Sequence, residues 1–422
     1  MTTPTIAVAL HDGFYGCGTG AGHANRVFLD ILTRLVRDDV RLVILPVWLD
    51  PTSPEHNPDW HTDTRKLLRH KRTEIHPVDN GTHGQRRFGG LAQFRRLAVT
   101  TAHTLTQHVL PTSRPRLVVA FDVPFLGLPP LLPPDVLRDV VLVPRSTAVL
   151  HAPSDRERVA WESYGMHTNI THGGKIAAIS THMRRHLTDQ YWIPDEALID
   201  LTDGLGPTDW ELPHPEDLIL PVAAHAGFLL SMGRAMPYKG FDDLLDALVL
   251  LRDTGFTVPH LVLAAVTDDP QPNPYQNHLG DRIADEHINA TLLTRFSPAL
   301  RGLFAHPALR AVVVPSRAEP FGRIPLEAYA AGACPVISTT AGGLAEHIDH
   351  QRTGFATPPD NPTALSEAIR TALTRTVHPG IVDQMRCRAT EFARTRDYSV
   401  SVRHFLSDVA PWLRLRSVDQ SA

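Results

Sequence analysis

The sequence predicts two α/β domains, each built on a parallel sheet, and three observations carry that prediction. The chain has 422 residues, which at roughly 100 to 200 residues per domain means two or three domains. Short apolar, β-branched runs alternate with longer segments of helical period, the rhythm of a parallel sheet with helices on its faces. That rhythm breaks once, in a loop rich in proline and acid after Asp203 and Gly204, and then restarts.

Taken in order, Ile6 to Leu10, Leu42 to Val47, Leu117 to Phe121, Val140 to Val143 and Ile176 to Ile179 read as buried strands. Ala24 to Val36, Leu91 to Val109 and His182 to Tyr191 read as the helices between them. After the break, Phe228 to Met232, Leu261 to Val266, Thr291 to Leu293, Ala311 to Val314 and Val336 to Ser338 are strands. Phe241 to Arg252, Leu326 to Ala331 and Pro362 to Ala372 are helices. The boundaries follow: a first domain over 1–205, a linker over 206–225, a second domain over 226–394, and a last helical stretch over 395–422 that packs back on the first domain. The default ligand site is a cleft between the domains, at the carboxyl ends of the strands.

Composition excludes several classes. Apolar residues make up 42% and charged residues 20%, enough for a sizeable core and far from a disordered chain. Forty-one basic against 45 acidic side chains give a net charge of -4, which argues against a general affinity for nucleic acid. Cys17, Cys334 and Cys387 are too few for a disulfide framework and suit a reducing cytoplasm. No run approaches 18 apolar residues, so no membrane span is expected, and the N-terminus has no signal-peptide pattern. The 36 prolines are scattered and read as rigid loop punctuation.

Three loops carry candidate chemistry. Pro315 to Ile348 contains Glu319 and Glu327 separated by seven residues, with Pro320, Phe321 and Gly322 turning into a helix that has Pro325 in its first turn. The N–H groups of Gly322, Arg323 and Ile324 there suit an anion or a hydroxyl-rich ligand, and a carboxylate pair accepts hydrogen bonds from sugar hydroxyls. The plainer alternative is a solvated loop acid and a helix-terminal charge. Gly233 to Gly240 follows a strand and carries Arg234 and Lys239, two cations able to neutralise a diphosphate; a solvated basic loop is the alternative. The third loop holds Gly13, Gly16, Gly18, Gly20 and Gly22 after the first strand, where glycine lets the backbone approach a ligand. Gly16-x-Gly18-x-x-Ala21 fits a dinucleotide fingerprint loosely, but the next acid after a strand is Asp50, well beyond the expected spacing of about 20 residues.

Together these stretches, EPFGRIPLE, AGGLAEHI, the GR-x4-KG loop and the glycine loop, resemble the retaining glycosyltransferases of family 4. The resemblance implies the GT-B fold, α/β with two Rossmann-like, doubly wound parallel-sheet domains facing a cleft. It also implies roles. Glu319 would contact donor-sugar hydroxyls and Glu327 the nucleotide ribose; Arg234 and Lys239 would bind the diphosphate and stabilise its growing charge. Gly18, Thr19 and Gly20 would close over the donor, and the base would lie near Thr294 to Ser297, including Phe296. Phe321, Gly322, Arg323 and Ile324 complete the implied donor site. The departing diphosphate would take the acceptor proton on the same face. No Asp-x-Asp occurs, so the expected reaction is metal-independent, with no cofactor beyond the nucleotide-sugar co-substrate.

The chain also departs from the family. Many members have a histidine after the strand that ends here at Phe121, where this sequence has Asp122; the next strand leads to Arg145, with His151 further on. These three are the acceptor-side candidates. The glycine-rich turn usual after Val266 is replaced by Thr267 to Pro270. His182 and His186 lack the glutamate of a zinc protease motif and read as exposed. Arg65, Lys66, Arg69, Lys71 and Arg72, with Arg86, Arg87, Arg95 and Arg96, make the first domain locally basic, as a solvated face or as a surface for an acidic acceptor or membrane.

The function expected is a cytoplasmic retaining glycosyltransferase that moves a sugar from a UDP- or GDP-sugar to a small polar acceptor. The Ala, Pro, Arg and His bias resembles actinobacterial proteins and suggests antibiotic or other specialised metabolism. An epimerase or phosphorylase of GT-B type, or a catalytically silent nucleotide-sugar-binding subunit, is the alternative. The expected partners are the donor and the acceptor, not nucleic acid, and homodimerisation is open.

Overall fold

The computed structural model describes residues 3–68, 72–111, 113–214, 219–267, 271–375 and 379–416. Arg69, Lys71 and Asp268 to Pro270, singled out above, and Pro215 to Asp217 of the proline- and acid-rich loop lie outside these residues. The chain forms two compact units, Met1–Asp203 with Tyr398–Ala422, and Gly204–Asp397.

In the first unit the strands are β1 (Thr3–Leu10), β2 (Arg41–Pro46), β3 (Thr73–Ile75), β4 (Ser113–Phe121), β5 (Val140–Val143), β6 (Lys175–Ala178) and β7 (Leu198–Asp200). They form one sheet in the order β3-β2-β1-β4-β5-β6-β7, every pairing parallel. Helices α1 (Gly20–Leu35), α2 (Pro58–Leu67), α3 (Leu91–His108), α4 (Ala148–His151), α5 (Arg156–Thr171) and α6 (Thr181–Tyr191) connect them. Parallel strands need such crossovers, so both faces are covered and the middle of the sheet is apolar, with Ile6 to Leu10, Leu42 to Leu45, Leu117 to Phe121 and Val140 to Val143 all buried. Ala7, Val43, Leu45 and Val118 pack on one face with Phe94 and Leu97 of α3; Ile6, Val8 and Ile44, pointing the other way, are equally buried.

The second unit opens with α7 (Val222–His225) and continues β8 (Phe228–Arg234), α8 (Phe241–Asp253), β9 (His260–Thr267), α9 (Pro274–Asp285), β10 (Ala290–Arg295), β11 (Leu309–Val314), α10 (Arg323–Ala330), β12 (Val336–Thr339), β13 (Phe355–Thr357), α11 (Pro362–Arg375) and α12 (Pro379–Arg394). Its sheet runs β10-β9-β8-β11-β12-β13, again all parallel. Each sheet therefore reverses its winding once, between β1 and β4 and between β8 and β11. Ligands of doubly wound sheets bind at that reversal, at the carboxyl ends.

The final helix, α13 (Tyr398–Val409), belongs to the first unit; buried Phe405 meets Phe28 of α1 with ring centroids 6.4 Å apart. The 206–225 segment differs from a plain linker at its start. Leu205 N–H donates to the Arg396 carbonyl at 2.7 Å, and Asp209, fully buried, accepts from Gly206 N–H at 2.7 Å. Proline and acid marked a loop there, but the partners that bury it come from far along the chain. Among the described residues, no helix is long and apolar enough to cross a membrane.

Candidate functional site

In the second unit the loops after β8 and β11 meet at the reversal point. Gly240 makes the meeting possible: its φ is +68°, and a Cβ there would lie 2.0 Å from the Pro315 carbonyl oxygen. Only glycine takes both that backbone and that contact. The loops are then tied by Arg317 N–H donating to the Tyr238 carbonyl at 2.8 Å, and by the Arg317 guanidinium on Asp243 of α8 at 2.6 and 2.8 Å.

This arrangement delivers Lys239 Nζ onto Glu319 Oε1 as an ion pair, with Ser316 Oγ donating to the same oxygen at 3.1 Å. The two side chains keep 14% and 12% of their surface exposed. They are screened from bulk water yet reachable, so each is an ionic group that a ligand can recruit. Arg234, half-buried, donates to the Tyr238 hydroxyl. The Glu319 carbonyl accepts from Gly343 N–H at 2.8 Å, which couples the AGGLAEHI turn to the same loop.

Phe321 is 3% exposed and packs edge-on against His347, centroids 4.5 Å apart. Burial, aided by the Arg396 charge, pushes the His347 imidazole down to about 3, so a neutral ring supports the turn from below. Gly322 has φ +89° and starts α10.

Glu327 goes elsewhere. It lies in the second turn of α10, 8% exposed, and accepts from Arg323 Nε at 3.0 Å. Arg323 Nη2 also donates to Asp209 at 2.8 Å and Nη1 to the Gly204 carbonyl at 2.7 Å; Arg301 lies 3.7 Å from both carboxylates. Arg323 is thus part of a buried cluster, not a surface cation. Ile324 stays half-buried at the start of the helix. Half-buried Phe296 follows β10, its N–H on the Thr267 carbonyl at 3.1 Å. Gln276 of α9 holds that strand end, donating to the Ala265 and Thr294 carbonyls at 2.6 and 2.7 Å. Asp209, Arg301 and Gln276 were missed in the sequence because single polar residues in loops and helices carry no local signal.

The first unit has its own polar centre at its reversal point. Gly13, φ +97°, would place a Cβ 2.0 Å from the Gly22 carbonyl oxygen, so the glycine loop folds tightly onto the start of α1. Thr19 caps α1, accepting from Gly22 N–H at 2.9 Å and donating to Asp12 at 2.7 Å; Gly18 is half-buried and Gly20 exposed. Asp12 is buried, which alone would raise its pKa. The Arg87 charge and the bonds from Thr19 and Arg87 outweigh burial and hold it below the usual carboxylate range.

Asn25 then donates to the Asp12 carbonyl and to Asp122 Oδ2, both at 3.0 Å, and accepts from Arg145 Nε at 2.6 Å. Arg145 grips Asp203 with Nη1 at 2.5 and 2.6 Å and reaches the Tyr398 hydroxyl at 3.3 Å. The structure places Asp122 and Arg145 inside the unit, 7% and 3% exposed, each engaged by protein partners. Asp122 has φ +81° and ψ 164°, a region occupied almost only by glycine and held only where surroundings enforce it. Burial pushes its pKa up to about 6 against the opposing Arg145 charge.

His151 is half-buried at the end of α4. The start of α4 is fixed by buried Glu162, which accepts from Ala148 N–H at 2.8 Å and from the Tyr191 hydroxyl at 2.6 Å. His186 corrects the sequence reading: it is 7% exposed and bonded to Thr147 Oγ1 at 2.7 Å. Burial, with His182 adding to it, lowers its pKa to about 4. Spacing along a helix cannot tell that a neighbouring loop covers one face. His182 is half-buried.

Residues 221–396 match the model of the family described as glycosyl transferases group 1. The chain is 30% identical over 177 residues to a D-inositol 3-phosphate glycosyltransferase of Jonesia denitrificans, covering 42% of this chain and 41% of that one. It is 32% identical over 174 residues to the alpha-1,3/1,6-mannosyltransferase ALG2 of Mus musculus, covering 39% and 41%. The chain thus spans about two-fifths of the length of these curated relatives. Sucrose-phosphate synthase from Thermosynechococcus elongatus has a similar fold, TM-score 0.73 at 16% identity over 97% of this chain and 99% of that one. Anabaena HepE in complex with UDP and glucose is also similar, TM-score 0.66 at 17% identity over 97% and 100%. The fold is GT-B, two Rossmann-like units with a parallel sheet each.

Proposed function

We propose that this protein is a retaining glycosyltransferase that moves a sugar from a UDP- or GDP-sugar to a small polar acceptor without a metal ion. One observation carries the reading: the Lys239–Glu319 pair sits on the two loops that meet at the reversal point of the second sheet, within the span that matches group 1 glycosyl transferases. A bound donor would separate the pair. Glu319 would turn its oxygens to sugar hydroxyls, and Lys239, with Arg234, would neutralise the diphosphate. That a structural neighbour holds UDP and glucose supports a sugar nucleotide as the donor.

In the proposed reaction the bond from the anomeric carbon to the diphosphate oxygen breaks as the acceptor oxygen bonds to that carbon on the same face. The acceptor proton passes to the departing diphosphate. Lys239 and Arg234 act on the charge that grows there, so their effect falls on the transition state rather than on ground-state binding. Gly322, Ile324 and Phe296 would shape the nucleotide pocket, and Glu327 the ribose contact. Arg323, through Asp209 and Glu327, would position the helix that presents them. Gly18, Thr19 and Gly20 would contribute from the glycine loop. Asp122 and Arg145 would act through Asn25 on the acceptor side, with His151 nearer the surface.

A cytoplasmic place rests on the free cysteines, and a part in antibiotic or other specialised metabolism rests on composition alone. The test is a panel of UDP-, GDP-, ADP- and dTDP-sugars, read by nucleotide release and by the anomeric configuration of any product. Retention in the presence of EDTA supports the proposal. An inverted anomer, free sugar phosphate or a C2-epimerised donor points to another enzyme. Nucleotide binding with no turnover of any donor points to a silent subunit.

A further inference from the structure

The basic stretch that begins at Arg65 is not used by the donor chemistry, and it leads to a cluster of rings at the carboxyl end of the first sheet. Phe14 and Tyr15 lie in the loop after β1. His56 ends the loop after β2, and His61 and Arg65 follow on α2, one turn apart and so on one face. The loops are locked together. Asn57 N–H donates to the Tyr15 carbonyl at 2.9 Å, Trp60 Nε1 donates to the Gly13 carbonyl at 3.0 Å, and a Cβ on Gly16 would lie 2.5 Å from the Glu55 carbonyl oxygen. Buried Phe14 forms the floor, 4.9 Å from the Tyr15 ring. The Tyr15 centroid is 4.7 Å from His61 and 5.9 Å from His56.

The hydrogen bonds fix what this cluster offers. His56 Nε2 and His61 Nδ1 are 3.3 Å apart and share one proton. His56 Nδ1 is buried with no partner; a proton there would be a stranded donor, so it is the bare nitrogen. His56 then donates from Nε2 to His61 Nδ1, and His61 carries its own proton on Nε2. Burial keeps both imidazoles below their usual pKa. Among the described residues, the Tyr15 hydroxyl has no hydrogen-bond partner and Arg65 no ion pair, although the Arg65 charge acts on both Tyr15 and His61. The acids of the same segment are used or turned out. Asp50 accepts from Thr52 N–H at 2.8 Å, Glu55 from Arg87 N–H at 2.7 Å and Asp63 from Lys66 at 3.0 Å, while Asp59 is exposed. The Tyr15 ring lies against His61, Arg65 follows one turn on, and the Asp50 charge reaches the cluster only at His56.

We infer that Tyr15, His61 and Arg65 form a binding site for an oxyanion, a phosphate or a carboxylate, carried by the acceptor. Guanidinium and neutral imidazole N–H donors are matched to such oxygens, and Tyr15 gives a ring face beside them. The word acceptor rests on the glycosyltransferase reading; the anion site itself does not.

The test is residue-resolved labelling of the full chain by diethyl pyrocarbonate at pH 7, read by peptide mass spectrometry. Separate samples contain inorganic phosphate, acetate or chloride at equal ionic strength. The expected result is that phosphate, acetate or both slow His61 labelling about tenfold relative to chloride, while exposed His404 is unaffected. The preferred anion identifies the group. In Arg65→Ala the protection should need at least tenfold more anion, and Tyr15→Phe, which keeps the ring, should weaken it in the same direction. Labelling that neither anion changes, or that is equally protected in Arg65→Ala, overturns the site. Protection by vesicles of anionic lipid but by neither small anion overturns it in favour of a membrane surface. Donor turnover measured on the same samples judges the glycosyltransferase reading separately.

Discussion

Replacing Arg323 by methionine should unfold the second unit well before the first. The arginine side chain is 6% exposed and faces the side chains of Asp209 at 0% and Glu327 at 11%. Three hydrogen bonds, at 2.7, 2.8 and 3.0 Å, disappear together. Methionine fills most of the volume, so the loss is electrostatic: two carboxylates remain in a nearly dry site. Arg301, 3.7 Å from each, offsets part of this but lacks the hydrogen-bond geometry. Breaking one side of a buried ion cluster costs about 3–5 kcal/mol. For a unit of this size that lowers the thermal midpoint by about 6–20 °C. Differential scanning calorimetry gives the shift, and amide exchange of α10 assigns it to the second unit. Adding Asp209→Leu should recover part of the loss, since it removes one of the two buried negative charges. A drop of less than about 2 °C would refute the claim that Arg323 is a buried positioning residue.

Lys239→Ala should lower donor turnover about 10²–10³-fold with little change in unfolding midpoint, and Glu319→Gln should also fall; near-normal rates in both would remove the pair from the chemistry. Gly240→Ala forces a Cβ against the Pro315 carbonyl at a positive φ, and should destabilise by more than about 1 kcal/mol and impair turnover as the loops separate, which denaturant titration and the donor assay would check. Asp122 gives a pH signature. Its folded pKa, about 6, lies above the ordinary 3.8, so between pH 4 and 6 the folded state holds more protons and stability falls as pH rises. The full change is about 3 kcal/mol. Asp122→Asn should therefore match the wild type near pH 4 and exceed its stability at pH 7.5, and denaturation curves that show the same difference at both pH values would contradict it.

The particular elements explain what was legible. The core strands and the positions of Gly13, Gly240 and Gly322 follow from apolar period and from backbone freedom, both local properties. GR-x4-KG and E-x7-E were legible because cations, carboxylates and turn residues fall within one loop each. The readings that shifted share one cause. Glu327, Arg323, Asp122, Arg145 and His186 all looked available to ligand or solvent. Arg323, Asp122, Arg145 and His186 are each covered by a partner distant in sequence, Asp209, Asn25, Asp203 or Thr147, while Glu327 is taken by Arg323 on its own helix and by Arg301. Loop composition made 206–225 a linker, whereas the Arg396 carbonyl and the Arg323 side chain draw its first residues into the second unit.

By itself, then, the sequence determined two parallel α/β sheets, the loops that bear the chemistry and the residue types in them, because hydrophobic period and glycine tolerance act over a few residues. The tertiary structure decided which ionic groups meet. Strand order brings β8 beside β11 and β1 beside β4, and only that long-range pairing makes Lys239 and Glu319 neighbours. Other long-range contacts bury Arg323 and Arg145, and the pairing of β1 with β2 brings together the two loops that place Tyr15 against His61.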